Sequence, residues 1–146
     1  MNVSNSQYLR FPCVLKEKLI SGEIILPDET KFTYEKILVY RAVERTEDDK
    51  RPITNDDFKS YYELKKGPKK PKGNIENNPK YYGVSSYTER KIAEQIMHFP
   101  RPSKKIAKGY VYDEGGPEYT EDKHICWWIY DKVEINGFYL MEANDE

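Results

Sequence analysis

Cysteine is scarce in this chain. Cys13 and Cys126 are the only two among 146 residues; they lie far apart and outside any CxxC spacing, so no disulfide framework is implied and reduced thiols are expected. With His98 and His124 they make no pair at zinc-ligand spacing, so no metal site is expected. An excess of charge of one sign is also missing. The 24 basic and 25 acidic residues leave a net charge of -1, so no global field draws the chain to nucleic acid or an anionic membrane. No run approaches the roughly 18 apolar residues of a membrane span. Met1 to Gln7 is polar with no apolar core of a signal, so the expectation is a cytoplasmic protein with no membrane partner. GxGxxG, Walker, GxSxG and EF-hand patterns are all absent, so no ready-made phosphate loop, nucleophile elbow or calcium loop is present.

What the chain does have is aromatic. Apolar residues make up only 38%, yet aromatics reach 14% with thirteen tyrosines, and a tyrosine buries a large ring while keeping a polar tip. An aromatic, amphipathic core follows, in a single domain spanning residues 1–146. Pro12 before Val14, Leu15, Leu19 and Ile20, with Gly22 after them, predicts a short helix. A short strand is expected at Glu23 to Leu26, and KILVYRAVE, Lys36 to Glu44, is apolar on both faces like a central strand. Thr54 and Asp57 form a shortened capping box ahead of a helix from about Asn55 to Leu64. Residues 65–79, rich in Lys, Pro and Gly, read as a mobile loop inside the domain. YYGVSSY, Tyr81 to Tyr87, is a strand feeding a helix capped by Thr88 that buries Ile92, Ala93, Ile96 and Met97. KKIAKGYVYD alternates as a strand. HICWWIYD, His124 to Asp131, puts His124, Cys126, Trp128 and Tyr130 on one face and Ile125, Trp127 and Ile129 on the other. Asn136-Gly137 predicts a hairpin between Val133 to Ile135 and Phe138 to Met141. Residues 1–7 are expected to be a flexible terminus and 142–146 an acidic tail; the acidic clusters at Glu44 to Asp49 and Glu118 to Asp122 read as solvated turns. The class is α+β, a mainly antiparallel twisted sheet with two or three short helices.

Arg41 stands out because alternation places it on the same strand face as Ile37, Val39 and Val43, where a charge must be paired or line a cleft. It is either an anion clamp using its planar fork or a structural arginine that pairs internally or snorkels to water. Ser85 and Ser86 end a strand before a helix, where hydroxyls and N–H groups can collect an anion or simply cap. His124 is a general base, a ligand donor or a packed imidazole. Trp127, Trp128 and Tyr130 are either core or, where a sheet face is uncovered, a partner-binding patch.

LVYRAV with Arg41, Asn77-Asn78-Pro79, YYGVSSY and the helix carrying Glu94 together resemble the RES-domain proteins and, more loosely, the ADP-ribosyltransferase-like clan, in which a strand Arg, a later Ser and a Glu surround NAD. The resemblance covers about Lys36 to Ile96. It implies an NAD site with Arg41 on the phosphates, Ser85 or Ser86 supporting the ribose region, and Glu94 as the acidic member. The chain departs from the pattern where Gly73-Asn74-Ile75-Glu76 replaces a Gly-Arg-aromatic-Asn stretch, and no late strand carries Glu-x-Glu.

Two function classes follow. One is a small binding module without a cofactor, acting on a protein partner in the manner of an immunity protein, antitoxin or inhibitor; small size and Tyr and Trp wealth point that way. The other is an enzyme or sensor that handles NAD or a related nucleotide through Arg41 and the Ser85-Ser86 corner.

Overall fold

A computed structural model describes residues 8–45, 50–64, 77–97 and 104–141. Residues 1–7, most of the lysine loop, His98 and the acidic tail lie outside them. Helix α1, Cys13–Ser21, starts after Pro12 and ends where Gly22 turns left-handed at φ 84° and returns its N–H to the Leu19 carbonyl. Leu15 and Leu19 face inward. Residues 23 to 26 alternate, with Ile24 and Leu26 buried and Ile25 exposed, but the Ile24 N–H goes back to the Lys18 carbonyl. The predicted strand there is therefore an extended segment without a ladder.

Strand β1, Ile37–Glu44, is followed by a capping box in which Thr54 and Asp57 bond reciprocally, opening only a 3-10 turn, Asn55–Asp57. The predicted ten-residue helix is broken for two visible reasons. Arg41 takes the Asp57 carbonyl at 2.8 Å, which a continuous helix would have given to Tyr61. Ser60 then starts a second reciprocal cap with Glu63, at 3.0 and 3.2 Å, and α2 is the single turn Tyr61–Leu64.

Asn78 caps another 3-10 turn, Pro79–Tyr82, so the predicted strand from Tyr81 shortens to β2, Val84–Tyr87. Helix α3, Arg90–Met97, follows, then β3, Lys104–Val111, and a 3-10 turn, Asp113–Gly115. The remaining strands are β4, Glu118–Glu121, β5, His124–Trp127, and β6, Tyr139–Leu140. The predicted Asn136-Gly137 hairpin is not made. Gly137 has the positive φ, 83°, that the turn signal demands, yet the Ile135 N–H is captured by Asn55 Oδ1 at 2.7 Å and β6 pairs with β3 instead.

The six strands form one sheet in the order β4-β5-β2-β1-β3-β6, antiparallel at every pairing. The fold is α+β, as the patterning implied. The ladders are uneven. β1 and β3 pair at eight positions, from Ile37–Val111 to Glu44–Lys104, and β2 and β5 at four, whereas β1 and β2 share the single pair Tyr40–Tyr87.

One face of the sheet carries Val39, Val84, Val111, Ile125 and Trp127, covered by Phe58 and Ile135. The other carries two helices. Helix α1 packs Leu15 and Leu19 into a cluster with Cys126, Trp128 and Tyr130, and Ala93 of α3 packs with Ile106 and Met141 beside Tyr40, Ala42 and Tyr87. Among the described residues no helix is long and apolar enough to cross a membrane.

Candidate functional site

Arg41 is on the face that carries Val39 and Val43, and half-buried. Its Nε donates to the Asp57 carbonyl at 2.8 Å and its Nη1 donates to the Ser85 carbonyl. The Phe58 ring lies 5.5 Å from its guanidinium carbon. The guanidinium thus sits where the β1–β2 ladder stops, bonding a carbonyl that a continuous ladder would have used. One step past the Tyr40–Tyr87 pair, the facing positions are Arg41 and Ser86. Ser86 pairs with Ile125 in β5, so its side chain shares the Arg41 face. The Ser86 hydroxyl is buried and makes no hydrogen bond among the described residues.

Ser85 and His124 belong to the opposite face. In β2 and β5 the partners are Ser85–Cys126 and Tyr87–His124, and the diagonal brings His124 Nε2 to 2.9 Å from Ser85 Oγ. Ser85 is exposed and His124 half-buried. The Tyr87 ring packs on the imidazole with centroids 5.2 Å apart. Burial first, and then the Lys80 ammonium, lower the His124 pKa, while Glu121 opposes them. Lys80 is itself 3.8 Å from Glu121.

The five sequence-predicted ligand residues therefore do not converge. The sheet separates Arg41 and Ser86 from Ser85 and His124, and Glu94 lies on α3, 3.8 Å from Arg90 Nε in an i,i+4 ion pair. Trp127, Trp128 and Tyr130 point to alternate faces as their spacing required, but all three are buried, at 1%, 0% and 5% exposure. Covering layers exist on both sides of β5, and each indole N–H is spent inside: Trp127 donates to the Gly116 carbonyl at 3.1 Å and Trp128 to the Pro79 carbonyl at 2.8 Å. The exposed large side chains on strands are instead Leu38, Tyr110 and Tyr139.

Three features escaped sequence reasoning. Arg45, just past β1, is buried and forms a two-pronged ion pair with Asp57, Nη2–Oδ2 2.8 Å and Nε–Oδ1 3.2 Å. The capping-box Asp57 was a visible signal, but nothing in the sequence linked it to Arg45. Lys80 beside His124 had no signal at all. Glu118, expected in a solvated turn, is buried at the start of β4, where Thr120 Oγ1 donates to its carboxylate at 2.6 Å. No protein-family model matches the chain, and comparison with curated proteins and with solved structures returns no match.

Proposed function

We propose that the chain binds NAD or a related nucleotide at the break between β1 and β2, with Arg41 on the phosphates. The observation that carries this reading is the arrangement at that break: the Arg41 guanidinium, bonded to the Asp57 and Ser85 carbonyls, and the buried Ser86 hydroxyl, which has no partner among the described residues, face the same side at neighbouring positions. An unsatisfied buried hydroxyl costs about 1–3 kcal/mol, a cost that a ligand atom reaching Ser86 removes. A phosphate there would meet the Arg41 guanidinium by sharing or displacing the Asp57 and Ser85 carbonyls that Nε and Nη1 now bond, an exchange favoured by its negative charge. The likeness of LVYRAV and YYGVSSY to the RES and ADP-ribosyltransferase-like pattern supports Arg41 together with Ser85 or Ser86. Glu94, paired with Arg90 over the other face, lends no support to a transfer reaction, so the proposal is binding.

The test is a thermal-shift titration with NAD, ADP-ribose and ATP on the wild type, Arg41→Lys and Ser86→Ala. Ligand at about 100 times its dissociation constant adds roughly 2.7 kcal/mol, or about 5–10 °C for a domain of this size. The expected result is a shift that Arg41→Lys abolishes and Ser86→Ala reduces. No shift with any of the three, or an undiminished shift in Arg41→Lys, overturns the reading.

A second reading, binding of a protein partner, is favoured by one observation. Leu38 and Tyr110 are direct cross-strand partners and Tyr139 faces Lys108, one diagonal from Tyr110. These residues are 37%, 41% and 52% exposed, with the Lys36 ammonium 4.6 Å from the Tyr110 ring centre. Aromatic residues rimmed by cations suit an acidic protein surface. Comparing captured proteins between wild-type bait and a Tyr110→Ser/Tyr139→Ser double variant tests it: a partner lost only with the variant supports this face, and identical capture excludes it.

A further inference from the structure

We infer that Ser85 and His124 form a nucleophile and general-base pair on the helix-bearing face of the sheet, a second site separate from the Arg41 break, with carboxylic esters as the substrate class. Three structural facts support it. The hydroxyl and the imidazole Nε2 are already at 2.9 Å, within the reach that proton transfer requires. Both are held by a regular ladder of four pairs, and the Tyr87 ring against the imidazole fixes its orientation, so the geometry does not depend on a loop. Ser85 is exposed while His124 is half-buried, which leaves the nucleophile open to substrate and its base sheltered. The groups facing the imidazole are Lys80 from the preceding 3-10 turn, Glu121 from β4 and Tyr87 from β2. Burial, and then Lys80, lower the pKa of the ring and so favour its neutral form, in which one of the two nitrogens has a lone pair that can take a proton.

The step balances without any further reagent. Ser85 Oγ attacks the ester carbonyl carbon and its proton passes to His124 Nε2. The tetrahedral adduct collapses, the carbon–alkoxy bond breaks, and the imidazolium returns the proton to the leaving alcohol. Water then attacks the Ser85 ester by the same route in reverse, giving the carboxylic acid and restoring the hydroxyl.

The experiment treats the full chain with a fluorophosphonate probe and, in parallel, p-nitrophenyl acetate, following intact mass and mapping the adduct. The probe forms an Oγ–P bond and releases fluoride and the serine proton. Ser21, exposed but bonded only to the Lys18 carbonyl and Glu23, is the internal control. We expect one adduct, on Ser85, formed at least about a hundredfold faster than any on Ser21, absent in Ser85→Ala and slowed by a similar factor in folded His124→Gln. No adduct on Ser85, labelling of Ser21 at a comparable rate, or undiminished labelling in His124→Gln overturns the inference. Should His124→Gln not fold, the wild-type ratio of Ser85 to Ser21 decides. Both substitutions change side chains on the face opposite Arg41 and Ser86 and keep the Ser85 carbonyl that Arg41 bonds, so the nucleotide titration succeeds or fails independently.

Discussion

Replacing Asp57 by Ala breaks a buried ion pair on one side. Arg45 is enclosed to 2% side-chain exposure and Asp57 to 10%, and the two meet through two charge-assisted bonds of 2.8 and 3.2 Å. The guanidinium also donates to the Arg51 carbonyl at 2.8 Å and the Pro52 carbonyl at 3.1 Å. Removing the carboxylate takes two charge-assisted bonds from the buried guanidinium and deletes the acceptor of the Thr54 N–H, 3.1 Å away. Breaking a buried pair on one side costs about 3–5 kcal/mol, which lowers the melting temperature of a domain this size by on the order of 10 °C. Urea denaturation and thermal melts of wild type, Asp57→Ala, Arg45→Met and the Arg45→Met/Asp57→Leu double variant measure it. The double variant is expected to lose far less than the sum of the single losses, because no lone charge remains. A loss below about 1 kcal/mol in Asp57→Ala, a value typical of exposed pairs, or strict additivity in the cycle, would refute the reasoning.

Gly116 sits at φ 147°, and a Cβ there would meet the Trp128 carbonyl oxygen at 1.9 Å, so Gly116→Ala should cost several kcal/mol, on the order of a severe core overpacking, and is expected to yield little folded protein by circular dichroism. The two thiols should separate cleanly: Cys13 is exposed, whereas burial pushes the Cys126 thiol up to about 12, so a thiol-titrating reagent at pH 8 is expected to count one group in native buffer and two in denaturant. His124 has a lowered folded pKa, with burial the largest cause. The unfolded chain therefore binds the extra proton first. The stability due to its neutral ring is complete above about pH 6.5 and is lost as pH falls through the folded value; His124→Gln should flatten the fall in melting temperature below pH 6.5 relative to wild type.

How much of this was legible depends on whether a partner lay nearby in sequence. KILVYRAVE, apolar on both faces, and HICWWIYD are enough to identify β1 and β5 and to place Trp127 and Trp128 on opposite faces, because strand patterning is local, although β5 ends at Trp127 rather than at the expected Asp131. Thr54 and Asp57 announced their cap for the same reason. The helix expected after them failed because its stop is not local: Arg41 reaches from 16 residues away to claim the Asp57 carbonyl. Likewise the Asn136-Gly137 signal correctly marks a positive φ, but Asn55, 80 residues earlier, takes the Ile135 N–H that a hairpin needs. At the site, the sequence listed Ser85, Ser86 and His124 without saying which serine faces which neighbour. That depends on the pairing of β2 with β5, a register that patterning alone leaves open.

The uneven ladders have a mechanical consequence. The sheet consists of two blocks, β4-β5-β2 and β1-β3-β6, stitched by main chain at the single pair Tyr40–Tyr87 and by the reach of Arg41 in one block to a carbonyl in the other. Main-chain stitching survives nearly any substitution, whereas a side-chain stitch can be cut by one. The stiffness of the seam is therefore a heritable variable, adjustable at Arg41 while each block keeps its own ladder. Buried and half-buried side chains cross the seam on both faces, Val39 with Val84 on one and Tyr40 with Tyr87 beside Ala93 on the other, so the two blocks share a core where the ladder between them is thinnest, and the Arg41 bond is the part of the seam that a single substitution can remove.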